Sequence, residues 1–424
     1  MDSAAREHLD DLAQFVVASP SSFHAAAEGA RRLAAAGFVE QDETQPWDNS
    51  PGGHYLVRAG ALLGWRVPDG AAAVTPLRII GSHTDSPTFS LKPRPDLGIV
   101  GWQQLGVEIY GGPLLNSWLD RDLGLAGMLA LADGTTRLVR TGAVMRIPQL
   151  AIHLDRGVND DGLKLDRQAH TAPVWSVGHP EASILDHLAE LAGCGRDDVD
   201  GYDVLAFDTA APTVFGAREE FFASGRLDNL GSVHASLVAL IGSTGSARIE
   251  MLAAFDHEEL GSGSRTGAAG PILADVVARI LGGLGATADE QHRALARSVC
   301  LSADAGHAVH PNYVGRHDPA NRPLPNGGPL LKLNANQRYA TDARGAAMWR
   351  RACRSAGIQT QEFVSSNALP CGSTIGPLTA TRLGIATLDV GLPLLSMHSV
   401  RELAGAEDPL ALSLAMGAFL ALDA

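Results

Sequence analysis

The sequence predicts an α/β sandwich interrupted by an inserted, mostly β domain, and three observations carry that expectation. Short apolar strand candidates alternate with helical runs over residues 225–424, the pattern of a sheet covered by helices. Residues 88–224 have another texture, rich in Pro, Gly and short β-like runs such as Gly106-Val107-Glu108-Ile109-Tyr110, with few helix signals before 182–191. The His, Asp and Glu residues that end strand candidates all lie outside this middle segment, so folding it away brings His83 and Asp228 together.

In chain order, 4–18 and 22–36 read as Ala-rich helices separated by Ser19-Pro20-Ser21, with Ser21 placed to cap the second and Gly37 to end it. Residues 54–58 and 62–67 read as strands around Ala59-Gly60-Ala61, and the strand 77–80 delivers His83. Lys92-Pro93-Arg94-Pro95 reads as a linker into the insert. Beyond it the sequence predicts helix 229–242, strand 249–255, helices 272–284 and 288–298, strand 299–303, helix 341–356, strand 360–364, helix 374–382, strand 386–390 and helix 408–421. No internal repeat is evident.

A chain of 424 residues, 45% hydrophobic and 19% charged, is long enough for two or three domains with a large core. Its net charge of −14 disfavours nucleic acid as a partner. The same charge means that any preference for acidic ligands must come from a local cation. Cys194, Cys300, Cys353 and Cys371 show no CxxC spacing and fit a reducing, cytoplasmic setting. The N-terminus lacks a signal-peptide pattern. The apolar tail 410–422 is too short for a span of roughly 20 residues, so no membrane partner is expected. Gly261-Ser262-Gly263-Ser264 lacks the strand-turn-helix context and spacing of a phosphate loop.

The most informative stretch is Asp256-His257-Glu258-Glu259-Leu260-Gly261-Ser262, at the exit of the strand 249–255. Two adjacent glutamates there are costly to bury without partners. A metal resolves that cost: one carboxylate binds the ion while its neighbour handles a proton. A solvated acidic turn is the alternative. In Gly81-Ser82-His83-Thr84-Asp85, His83 offers an imidazole nitrogen and Asp85 can take the other ring N–H, fixing the tautomer. Asp228 opens a helical run, where it could equally cap the helix. Asp304 and His398 follow further strand candidates. Singly, such residues are ordinary turn or cap residues. Together they gather where sites assemble in open α/β sheets, and two His, two Asp and one Glu suit two divalent ions sharing a carboxylate.

The runs GSHTDSP, SGRLDNL, DHEELGS, SADAGHAVHPNY, NANQRYA, PCGSTIGP and MHSVRE resemble, in order and over essentially the whole chain, the aspartyl aminopeptidase family of dinuclear zinc exopeptidases. The resemblance implies a three-layer α/β sandwich metallopeptidase domain (1–87 and 225–424) with residues 88–224 as an inserted β-rich dimerisation domain. It implies two zinc ions per subunit. His83, Asp304 and a shared Asp228 would hold one, and Asp228, Glu259 and His398 the other; manganese or cobalt also suits such ligands. Glu258 would be the general base, and Asp85 would support His83. His153 would enter the neighbouring subunit's site, with an interface strand histidine and a metal ligand as open alternatives. Lys332 and Tyr339 would bind the substrate's acidic side chain, with His307 lining the same pocket. Lys332 lies in an apolar strand candidate, where a carboxylate ligand would offset an otherwise unpaired ammonium; a solvent-facing Lys is the alternative. Asn336 departs from the family pattern, which carries Lys there. Arg401 and Glu402 read as a structural pair.

The implied protein is a cytoplasmic aminopeptidase that releases N-terminal Asp or Glu from peptides and assembles as a tetrahedral homododecamer. Its rivals are a neutral, Leu-preferring or broad aminopeptidase of the same family, and a self-assembling shell or cargo protein with a vestigial site.

Overall fold

A computed structural model of the chain describes residues 1–422, which divide into two compact units. The first comprises Met1–Asp85, Pro212–Met397 and the chain from Glu402 onward; the second comprises Ser86–Ala211 and His398–Arg401.

Among its described residues the first unit holds a nine-stranded sheet. Its centre is four parallel strands in the spatial order Ile249–Phe255, Leu77–His83, Val299–Ala303 and Ala386–Gly391. Each of the first three is buried along its whole length, as strands covered on both faces must be. Ala61–Val67 and Gly52–Arg58 extend one side antiparallel. Leu330–Leu333 and Gln361–Val364 extend the other, the first of them antiparallel to Ala386–Gly391.

Helices cover both faces. One core joins the sheet to Ser3–Ala18, Ser22–Ala35, Leu227–Gly242, Ala343–Ala356 and Asp408–Ala421 through residues such as Leu12, Phe15, Leu240, Trp349 and Phe419. The other joins it to Ile272–Gly283, Ala288–Leu295 and Ile375–Leu383 through Ile280, Ala294 and Ile375. Fully burying one such large side chain is worth about 1.5–3 kcal/mol. Local chemistry sets the helix starts. Asp2 accepts from Ala5 N–H at 2.8 Å, Ser21 accepts from His24 N–H, and Thr287 and Glu290 form a reciprocal capping box.

The second unit is a six-stranded sheet in the order Thr136–Arg140, Leu123–Leu131, Val199–Asp208, Thr88–Ile99, Trp102–Tyr110 and Val174–Val177. All its pairs are antiparallel, and the helix Ile184–Ala192 packs into its core with Leu125, Leu129 and Val204.

Two expectations are corrected. Lys92–Pro95 is not a linker but lies inside the long strand Thr88–Ile99, where the register with Trp102–Tyr110 shifts between Leu91 and Asp96. That irregularity lets prolines, which cannot donate to a ladder, sit within a paired strand. Residues 212–224, read as insert, instead carry the strands Thr213–Phe215 and Phe221–Ser224. These pair with each other, and Phe221–Ser224 pairs in turn with Glu402–Gly405, in a small sheet of the first unit.

Candidate active site

The parallel strands deliver their C-terminal ends to one edge of the sheet, the edge where α/β folds build sites. His83 ends the strand Leu77–His83, and Asp304 immediately follows Val299–Ala303. Glu258 and Glu259 lie in a short 3-10 turn after Ile249–Phe255, entered through His257 in a left-handed conformation. Asp228 does not cap its helix. It sits just inside the first turn with non-helical φ −83°, ψ 100°, and its N–H donates to the Glu402 carboxylate at 2.9 Å. The neighbouring Asn229 Nδ2 donates to Ala303 O at 2.8 Å, tying this turn to the strand that precedes Asp304.

These residues converge on His83, which is 1% exposed. Its Nε2 lies 3.3 Å from Asp228 Oδ1 and 3.6 Å from Asp304 Oδ1. Its Nδ1 faces the main-chain oxygen of Asp85 at 3.1 Å and the Asp85 carboxylate at 3.4 Å, which leaves Nε2 for a ligand. Donor atoms of His83, Asp228 and Asp304 all lie within 4.8 Å of one another, and so do those of His83, Glu258 and Glu259. Burial by itself lowers the His83 pKa, but hydrogen bonding to Asp228, Asp304 and Asp85 outweighs it and raises the pKa well above its usual value. Acids gathered on one buried imidazole demand positive charge, and an imidazole–carboxylate donor set is one that zinc accepts. Glu258 is pushed up to about 7, chiefly by burial; His83 opposes, and the carboxylates of Asp304, Asp228 and Asp85 add to the rise.

Asp85 does more than support His83. Its two carboxylate oxygens accept the backbone N–H groups of Glu258 at 3.0 Å and Glu259 at 3.1 Å, fixing the turn that carries both glutamates.

A second group lies beside Asp304. Lys332, 1% exposed, is not on a solvent face: its Nζ donates to Ala305 O at 2.6 Å, lies 3.9 Å from Asp304 Oδ2, and stands 5.2 Å from the centre of the Tyr339 ring. Burial first, and then contact with Cys371, raise the Tyr339 pKa strongly, so its hydroxyl stays neutral. His307 and Tyr339 both pack edge-on against Phe363. Sequence reasoning missed Asp389. Fully buried, it accepts from Ala340 N–H at 2.6 Å and from Thr374 Oγ1 at 2.5 Å, tying the loop that carries Tyr339 to the start of the helix Ile375–Leu383. An Asp inside the apolar run Ala386-Thr387-Leu388-Asp389-Val390 was the available signal. Glu402, read as a partner for Arg401, instead serves Asp228 as described.

The remaining predicted residues belong to the second unit. His398, half-buried with φ 64°, has its Nδ1 3.1 Å from Gly112 O, and its own carbonyl accepts from Leu114 N–H at 2.9 Å. His153 is on an exposed turn, not in a strand.

An α/β fold with histidine and paired acids at its parallel strand ends is an arrangement able to hold metal ions. The profile of the family described as aminopeptidase I zinc metalloprotease (M18) matches residues 15–420. The chain is 53% identical over 422 residues to a probable M18 family aminopeptidase 2 of Streptomyces coelicolor, covering 98% of both chains. Among solved structures it is similar to that described as the Ape4 and Nbr1 complex (TM-score 0.95, 33% identity, 98% of this chain and 86% of that one). It is also similar to the S. cerevisiae mApe1 dodecamer (TM-score 0.85, 28% identity, 98% and 96%). The chain therefore belongs to the M18 family and is a zinc metallo-aminopeptidase.

Proposed function

We propose that this enzyme removes N-terminal Asp or Glu from peptides with two zinc ions per subunit. His83, Asp228 and Asp304 hold one ion; Asp228, Glu259 and His398 hold the other. The observation that carries the metal reading is the convergence of His83, Asp228 and Asp304 within 4.8 Å at a buried sheet edge. Zinc, when bound, acidifies a water and polarises the scissile carbonyl. Glu258 takes the proton of the attacking water as the peptide carbonyl is attacked, then hands it to the departing amine. Asp85 keeps Glu258 and Glu259 in register by holding both of their N–H groups. His153 acts in a neighbouring subunit's site, within a homododecamer built through the second unit. The four cysteines, unpaired among the described residues, support a reducing cytoplasmic setting.

The acidic preference rests on Lys332. A buried ammonium with one carbonyl acceptor and a carboxylate only at 3.9 Å keeps donor capacity for a substrate carboxylate. The deciding experiment compares hydrolysis of Asp-, Glu-, Leu- and Ala-naphthylamides with and without a chelator. A chelator-sensitive rate highest on Asp or Glu supports the reading. A rate highest on Leu keeps the metal chemistry and removes the acidic preference. No activity in metal-loaded protein removes the enzymatic reading in favour of a shell or cargo role.

A further inference from the structure

The strand Ile249–Phe255 leads to the two glutamates through Asp256 and His257, and His257 sits in the left-handed region at φ 63°, ψ 26°. That region is uncommon for a residue with a Cβ and persists only where the surroundings over-determine it. Here the surroundings are the loop 261–270. Ser262 N–H donates to the His257 carbonyl at 2.9 Å, and Asp256 N–H donates to Thr266 O at 3.2 Å, so the loop returns to the residues it left. It packs closely on itself: a side chain at Gly267 would collide with Ser262 O, and one at Gly270 with Ser264 O.

The His257 imidazole pins this loop. Its Nδ1 lies 2.9 Å from Ser264 Oγ and 3.2 Å from Thr266 Oγ1. Ser264 Oγ accepts from Gly267 N–H at 3.0 Å and from Thr266 N–H at 3.4 Å. Those two N–H groups occupy its acceptor sites, so its own proton goes to His257 Nδ1. The ring proton is then on Nε2, 3.8 Å from Asp256 Oδ2, while Asp256 Oδ1 accepts from the His257 N–H at 2.9 Å. His257 is thus held at its ring, its N–H and its carbonyl.

These contacts are separate from the Asp85 carboxylate, which holds the N–H groups of the next two residues. The turn that carries Glu258 and Glu259 is therefore fixed from two sides, by Asp85 at its own N–H groups and by His257 at its entry. A change in φ or ψ at His257 swings the peptide that carries Glu258. For a group that must meet a reacting water, a misplacement of about 1 Å costs up to about 100-fold in rate. We infer that His257 is a positioning residue that aims Glu258 through its contacts with Ser264 and Thr266. This rests on the role of Glu258 proposed above.

The test measures kcat and KM of the metal-loaded full chain, on whichever of the Asp-, Glu-, Leu- and Ala-naphthylamides the wild type cleaves fastest. The variants are His257→Gly and Ser264→Ala, each alone and combined with Glu258→Gln, and Glu258→Gln itself. Glycine adopts the left-handed conformation freely, so His257→Gly removes the side-chain contacts without adding backbone strain. It lowers kcat about 10–100-fold and leaves KM near the wild-type value, with metal content unchanged by elemental analysis. Ser264→Ala removes the nearer partner and leaves His257 in place. It lowers kcat in the same way, and it carries the test alone if His257→Gly fails to fold. In the Glu258→Gln background neither substitution has much further effect, because residues that act as a unit are not additive. A wild-type kcat in either variant overturns the role. A fall in kcat of equal size with and without Glu258 marks a general structural loss and overturns it too. Loss of metal in His257→Gly assigns the residue to Glu259 and overturns the aiming of Glu258. A Glu258→Gln enzyme with wild-type kcat overturns the reading beneath, and this inference with it.

Discussion

At the residue scale, the site separates residues that hold charge from residues that hold geometry. Glu258 is assigned to the proton, so Glu258→Gln should lower kcat by about 10²–10⁴-fold. Metal content should stay at the wild-type level, which elemental analysis of the purified variant checks; loss of metal would make Glu258 a ligand instead. Asp85 touches the chemistry only through others. Asp85→Ala orphans the N–H groups of Glu258 and Glu259 and removes the carboxylate beside His83 Nδ1. Metal affinity should fall about 10–100-fold, read by chelator competition. The sequence named the residues at the cluster because a run such as His83-Thr84-Asp85 announces its chemistry. It assigned Asp85 to His83, whose Nδ1 the carboxylate does face at 3.4 Å, but not to the backbone N–H groups of a turn more than 170 residues away. No local pattern encodes that partner. Asp389 and Glu402 escaped for the same reason: their carboxylates face distant backbone N–H groups.

At the element scale, helix positions and most strand bounds were legible, because period and caps are local. The strand 249–255 and the helix 408–421 fall where the sequence put them, and the helix predicted over 288–298 stops at Leu295. What a helix packs against was not legible. The N-terminal helix buries His8 against His234 of Leu227–Gly242, ring centres 4.8 Å apart. Asp11 accepts from His234 Nε2 at 2.7 Å and pairs with Arg32 at 2.8 Å. Burial first, and then His234, lower the His8 pKa from 6.5 to about 4; Asp11 and the Pro409 backbone oppose. The unfolded chain therefore binds this proton more readily than the folded one. The associated stability is present above pH 6.5 and is lost as pH falls toward 4, by on the order of 3 kcal/mol for a shift of this size. His8→Phe keeps the ring and removes the proton site. Urea titrations from pH 7 to pH 4 should show a shallower loss of stability in that variant than in wild type, and equal slopes would contradict the assignment.

At the scale of the whole molecule, the proposed role of His153 predicts complementation between subunits. His153→Ala and Glu258→Gln should each be nearly inactive. Mixed, dissociated and reassembled, they should regain activity, because some sites would then combine an intact Glu258 with a neighbour's intact His153. Recovery at the level of the inactive parents would place His153 outside the site. Among the described residues no helix is long and apolar enough to cross a membrane.

The sequence by itself made most helices and central strands and their order legible, and singled out His, Asp and Glu residues at strand ends, since periodicity, capping and side-chain chemistry are properties of a few neighbouring positions. Only the tertiary structure decided the rest. It placed Lys92–Pro95 inside a strand, because pairing partners and an irregular register outrank the local signature of prolines. It moved residues 212–224 into a sheet with Glu402–Gly405, since a strand's allegiance lies in hydrogen bonds to distant backbone. It gave Asp228 to Glu402 and the two glutamates to Asp85 because a buried N–H must find an acceptor wherever the fold brings one.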